Sequence, residues 1–289
     1  MSSAEKKQSF KNNYLIKTKM LTSCGRFITR GAYKGRIGNQ MFQIASLLGT
    51  AHKYDILPII PENYPINKYF DLPNRIPLDS NELLNIVKCE ALKSAVYYNC
   101  SREIKSGKNI TMLGYLQSWK YFYGAYDIIK YVFRLKEKYL LQAKKFLSRV
   151  SLTGYKRVCI HVRRGDITSN KKQTIGYAIA DMKFIEKARE FFKMRYLKVQ
   201  FFVVTNDKKW CKRNIKDANI STLSDPGEDL ALMTLCDNVV VTTGSFGWWG
   251  AWLSGGTSVY FDQYPKTGSV LAARFNRDDY YPQDWIGLS

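Results

Sequence analysis

Arg157-Val158-Cys159-Ile160-His161-Val162-Arg163-Arg164-Gly165-Asp166 is an apolar run that ends in two arginines, a glycine and an aspartate. A short apolar run bounded by a turn signal reads as a strand buried on both faces, the kind that parallel sheets contain. In open α/β sheets, ligands bind beyond the carboxyl ends of such strands. Arg163 and Arg164 therefore stand where a ligand would. A guanidinium is planar, permanently charged and able to meet two oxygens at once, which suits phosphate better than an ammonium does. The stretch reads first as a diphosphate clamp. The same turn also suits a solvated loop in which Asp166 pairs with a neighbouring arginine, and the residues alone leave both readings open.

The chain beyond it repeats the pattern. Residues 181–196 place Met182, Ile185, Ala188 and Phe192 at helical spacing. Residues 198–204 are a further strand, stopped by Thr205-Asn206-Asp207, so that Asp207 is a second polar group at a strand end. A short helix over 229–236 and a third strand over 238–242 follow. Thr243-Gly244-Ser245-Phe246-Gly247 then turns into a helix over 248–253, and 257–261 is a closing strand. Alternating strands and helices with short links predict a parallel, right-handed, doubly wound sheet.

Upstream the reading is coarser. Residues 1–22 are polar and basic, with Lys6, Lys7, Lys11, Lys17 and Lys19, and are expected to be flexible. A strand over 26–29 leads through a glycine loop into a helix whose Met41, Ile44, Ala45 and Leu48 share one face. A strand follows at 56–60, where Pro58 points to an edge position. Residues 61–77 are loop-rich, 111–116 resume a strand pattern and 126–147 look helical. Two α/β lobes are expected, over 23–150 and 151–289, divided near 148–155.

The 289 residues hold 45 Lys and Arg against 24 Asp and Glu, a formal net charge of +21. Such a balance favours anionic partners: nucleic acid, acidic membrane surfaces or phosphorylated small molecules. The basic residues are spread along the chain without a zinc-finger spacing or an aromatic RNA signature, so no nucleic-acid partner is expected. Cys24, Cys89, Cys100, Cys159, Cys211 and Cys236 form no C-x-x-C pair, and the histidines are His52 and His161. With no D-x-D or H-E-x-x-H, no metal site is expected. Cys159 and Cys236 fit buried apolar positions, while a bridge between Cys89 and Cys100 stays open. Asn99-Cys100-Ser101, Asn109-Ile110-Thr111 and Asn219-Ile220-Ser221 match the N-glycosylation pattern. No run of about 18 apolar residues occurs. The expectation is a cytoplasmic protein, or one whose anchor lies outside this chain.

Two glycine turns have chemistry of their own. Gly244, Ser245 and Phe246 precede a helix, whose free amides and positive dipole end favour a phosphate, with Ser245 able to cap. An ordinary capped turn explains the same residues. Gly35-Arg36-Ile37-Gly38-Asn39-Gln40 resembles a phosphate loop only loosely, lacking its Gly-Lys-Ser/Thr ending. Asn39 and Gln40 suit sugar hydroxyls or helix capping. Trp248, Trp249 and Trp252 are expected to pack the core.

Taken in order, several motifs resemble those of one family. They are Gly38-Asn39-Gln40-Met41-Phe42-Gln43, Gly114-Tyr115-Leu116-Gln117-Ser118-Trp119-Lys120-Tyr121-Phe122, His161-Val162-Arg163-Arg164-Gly165-Asp166, Asp229-Leu230-Ala231-Leu232-Met233 and Gly244-Ser245-Phe246-Gly247-Trp248-Trp249-Gly250-Ala251. Spanning residues 27–260, they resemble the α-1,2-fucosyltransferases, glycosyltransferase family 11. The resemblance implies a GT-B fold of two Rossmann-like lobes with parallel sheets. It also implies an inverting enzyme that uses GDP-fucose as donor, with no cofactor and no obligatory metal, to fucosylate the 2-hydroxyl of a terminal galactoside.

On that reading Arg163 neutralises the charge that grows on the departing β-phosphate, supported by Arg164. Gly244, Ser245 and Phe246 lie on the donor side, and Gly38, Asn39 and Gln40 on the acceptor side or cleft. Asp166 and Asp207 suit the guanine edge or ribose hydroxyls, or act as a turn cap or salt-bridge partner. Asp166 and His161 are the candidate general bases, with proton loss to water as the alternative. Eukaryotic members of the family are Golgi enzymes with an N-terminal membrane anchor, so Golgi and cytoplasm are both open. Two competing readings remain: a GDP-fucose transferase with another glycan or protein acceptor, and a non-catalytic glycan- or nucleic-acid-binding protein.

Overall fold

The computed structural model describes residues 25–73, 75–76 and 86–289. The basic segment at residues 1–22 lies outside these, as does Cys24. The chain divides into two compact units, the first ending at Arg134 and the second beginning at Leu135.

In the first unit, β1 (Phe27–Arg30), α1 (Ile37–Tyr54), β2 (Leu57–Pro61), β3 (Arg75–Ile76), β4 (Val87–Glu90) and β5 (Ile110–Leu113) build a five-stranded sheet in the order β3-β2-β1-β5-β4. All pairings are parallel. Pro58 does not put β2 at an edge. The Leu57 amide donates toward β1, to the Arg26 carbonyl, so Pro58 faces the other side, where β3 pairs only with Ile60 and Pro61. Among the described residues, the missing donor thus falls where no partner strand runs. Cys89 of β4 is bridged to Cys100. The helix expected over 126–147 is broken: α2 (Tyr126–Val132) stops, and α3 (Glu137–Val150) starts afresh. Phe133 and Leu135 are both buried in the gap, and a helix cannot turn residues two apart to one face.

The second unit takes in α3, which packs against α6 (Pro226–Thr234). The division consequently falls ahead of the region 148–155. The rest of the unit runs β6 (Lys156–Val162), α4 (Met182–Arg195), β7 (Val199–Thr205), α5 (Lys208–Asn214), β8 (Ala218–Ile220), α6, β9 (Asn238–Val241), α7 (Ser245–Ser254), β10 (Ser258–Phe261) and β11 (Ile286–Leu288). Its sheet order is β11-β10-β9-β6-β7-β8, parallel throughout. This is the doubly wound order that reverses direction between β6 and β9, and in such sheets ligands bind at the reversal, beyond the carboxyl ends of the strands.

Local chemistry sets the helix starts. The Asp181 carboxylate accepts the Phe184 amide at 2.9 Å and so caps α4. Asp225 and Glu228 form a capping box at α6, with Pro226 at its first turn. Val158, Ile160 and Val162 of β6 are buried against Phe184, Ile185, Ala188 and Phe192 of α4. At roughly 1.5–3 kcal/mol for each large side chain taken out of water, these contacts anchor the strand that carries the arginines. Trp248 and Trp249 are fully buried, and the Trp248 indole donates to the Tyr280 carbonyl at 2.8 Å.

Candidate active site

Arg163 is the first residue past β6, on the reversal point of the second sheet. Its amide donates to Thr242 Oγ1 at 3.0 Å, which ties the turn to the end of β9. Its side chain is 21 % exposed, and Nε and Nη2 donate to the two Asp166 oxygens at 3.3 and 2.9 Å. The Tyr177 ring lies 5.7 Å from the guanidinium carbon. On another side stands Gly244, where a Cβ would come within 2.6 Å of Nη1. A carboxylate, an aromatic face and a bare glycine therefore hold the group. Burial opposes its charge, but the hydrogen bonds and charge of Asp166 outweigh that, and the guanidinium is held protonated more firmly than usual.

Arg164 is fixed through β7. Its amide donates to Asn206 Oδ1 at 2.9 Å, and its guanidinium lies 4.0 Å over the Trp210 ring. The Arg164 Nε is buried without a hydrogen-bond partner. Asn206 Nδ2 reaches Asp166 Oδ1 at 3.5 Å, so Asn206 links the Arg164 backbone to the carboxylate that holds Arg163, and a Cβ on Gly165 would come within 2.6 Å of that nitrogen. In the sequence Asn206 reads only as part of a strand stop; the signal it carries there is a polar residue closing an apolar run, and its adjacency to β6 comes from the sheet order. Asp207 turns its carboxylate to the Trp210 amide at 3.0 Å and caps α5. Asp207 is thus a helix cap and Asp166 a salt-bridge partner of Arg163.

The start of α7 adjoins Arg163. Gly244 has φ +92°, a backbone region that only glycine adopts readily, and α7 begins without a side-chain cap. The start of this helix, where the positive end of its dipole favours an anion, lies beside Arg163. Ser245 and Phe246 belong to its first turn. Gly247 packs against the imidazole of His161, which a Cβ there would overlap.

His161 is 5 % exposed and its Nδ1 has no partner. Burial, with a smaller push from the Arg163 charge, lowers its pKa to about 3. A nitrogen of that kind takes up protons poorly at neutral pH. Asp229, in the first turn of α6, shows the opposite perturbation. Its Oδ1 accepts from Ser221 Oγ at 2.6 Å, and burial raises its pKa to about 6 against the pull of that bond and of Lys208. No role was read for Asp229 from sequence, although it opens one of the quoted motifs.

In the first unit, Gly38, Asn39 and Gln40 form the first turn of α1. Gln40 is committed to the fold: its side chain donates to the Gly35 carbonyl at 2.9 Å and accepts the Ile66 amide at 3.2 Å. Asn39 Oδ1 accepts from Gln117 Nε2 at 2.8 Å, which brings the turn after β5 to the start of α1. Arg30, buried at the end of β1, donates to the Met112 carbonyl at 3.1 Å and also to that of Gly114. Among the described residues, no group of three or more His, Cys, Asp or Glu could hold a metal, and no helix is long and apolar enough to cross a membrane.

The family model described as glycosyl transferase family 11 matches residues 2–289. The chain is 28 % identical over 277 residues to galactoside 2-alpha-L-fucosyltransferase Sec1 of Mus musculus, covering 89 % of this chain and 72 % of that protein. In fold it is similar to an arginine-to-lysine mutant of Arabidopsis thaliana FUT1 in complex with GDP (TM-score 0.54, 11 % identity, 86 % of this chain and 74 % of that one). It is likewise similar to POFUT1 in complex with GDP-fucose (TM-score 0.53, 14 % identity, 84 % and 99 %).

Proposed function

The chain belongs to glycosyltransferase family 11, the α-1,2-fucosyltransferases, and we propose that it moves L-fucose from GDP-fucose to the 2-hydroxyl of a galactoside, with inversion at the anomeric carbon. The observation that carries this reading is the held guanidinium of Arg163 beside the uncapped start of α7, at the reversal point of a doubly wound sheet. As the bond from the anomeric carbon to the β-phosphate oxygen breaks, negative charge gathers on GDP. A preorganised guanidinium and a set of helix amides stabilise that charge more in the transition state than in the bound donor. Asp166 keeps Arg163 oriented. With His161 buried and weakly basic and Asp166 engaged with Arg163, the acceptor proton leaves late, to water. The galactoside acceptor is supported by the name of the mouse relative, and the donor by the POFUT1 complex.

Isothermal calorimetry in EDTA tests the donor half: GDP binds, and binding is lost or greatly weakened in Arg163→Lys. The lysine keeps the charge but not the fork, so turnover is expected to fall about 10²–10³-fold, the cost of one preorganised donor. Near-normal turnover in that variant would remove Arg163 from this role. An acceptor panel with NMR of the product tests the other half, and fucose found on a peptide hydroxyl or another sugar position would overturn the galactoside assignment.

A further inference from the structure

Three Asn-x-Ser/Thr sequences occur in the chain, and the fold treats them unequally. The Asn109 oxygen accepts the Phe27 amide at 3.1 Å at the head of β1, and its Thr111 lies inside β5. Asn219 lies within β8, and the hydroxyl of its Ser221 is buried and donates to Asp229. A transferring enzyme must reach both the asparagine and the hydroxyl two residues on, and neither sequence offers the pair. Asn99 differs. It is exposed, and its Oδ1 accepts the Ser101 amide at 3.1 Å, closing a local turn that brings asparagine and serine together while engaging only the oxygen.

The residue between them, Cys100, is bridged to Cys89. Disulfides form and persist in the oxidising secretory lumen, the compartment in which N-glycans are attached. We propose that Asn99 is an N-glycosylation site and that Asn109 and Asn219 are not. In the step, Nδ2 of Asn99 attacks the anomeric carbon of the first sugar of a lipid-linked oligosaccharide diphosphate. The carbon–oxygen bond to phosphate breaks, the lipid diphosphate leaves with the electron pair, and an amide proton passes to a base of the transferring enzyme. The inference does not depend on the reaction catalysed by this chain.

The full chain, secreted from a eukaryotic host, is treated with peptide N-glycosidase in heavy-oxygen water and mapped by mass spectrometry. The heavy-oxygen aspartate is expected at position 99, is lost in Ser101→Ala and does not occur at 109 or 219. No label at 99, label that survives Ser101→Ala, or label at either other position overturns the proposal.

Discussion

Gly244→Ala isolates the geometry on which the donor site depends. The added Cβ would lie 2.6 Å from Arg163 Nη1 and 3.1 Å from Arg163 Cδ, so the guanidinium must shift from its position beside Asp166 and Tyr177. The backbone carries a separate strain, since φ is +92° and ψ 152°, a region costing a side-chain-bearing residue about 1–3 kcal/mol. Displacing one preorganised donor from a developing oxyanion costs about 2.7–4 kcal/mol in the transition state, or about 10²–10³ in kcat. Gly268→Ala is the control: Gly268 also has positive φ, +73°, but its Cβ would meet nothing within 4 Å. It should lose stability alone, by about 1–2 kcal/mol. Steady-state transfer kinetics and chemical denaturation are read on both variants. If Gly244→Ala loses no more activity than Gly268→Ala at equal folded fraction, the packing of Arg163 against Gly244 does not govern catalysis.

Asp229, with a pKa raised from 3.8 to about 6, binds protons more tightly folded than unfolded, so it favours folding at low pH and that support is lost as pH rises from about 4 to 6. Asp229→Asn should abolish this decline, roughly 2–3 kcal/mol, in denaturation series across that window. His161 works in the reverse sense: its folded pKa near 3 lies below the unfolded 6.5, so stability falls as pH drops from about 6.5 toward 3. His161→Gln should flatten that limb, and an activity profile whose acid limb follows His161 would contradict its burial. Replacing Cys89 and Cys100 by serine opens a loop with a sequence separation of 11, with an expected loss of about 2–3 kcal/mol in denaturant midpoints.

The strands that carry the site were legible because burial on both faces writes itself as apolar runs closed by polar residues, as at β6, β7 and β9. Helix α4 was legible through the helical spacing of Met182, Ile185, Ala188 and Phe192, while its Asp181 cap was not read. β3, β4, β8 and β11 were not, being two to four residues long and defined by the strand they pair with rather than by a pattern of their own. Pro58 misled because edge avoidance depends on which neighbour a missing donor faces. By itself, the sequence determined the parallel α/β class, the arginine turn and the glycine before α7, all of which rest on contiguous residues and local backbone chemistry. Only the tertiary structure decided that Asp207 caps a helix, that His161 is buried and weakly basic, and that Asn206, Tyr177 and Gly244 surround the arginines. Those relations join residues far apart in the chain, and the order of strands in the sheet, which no local pattern encodes, sets them side by side.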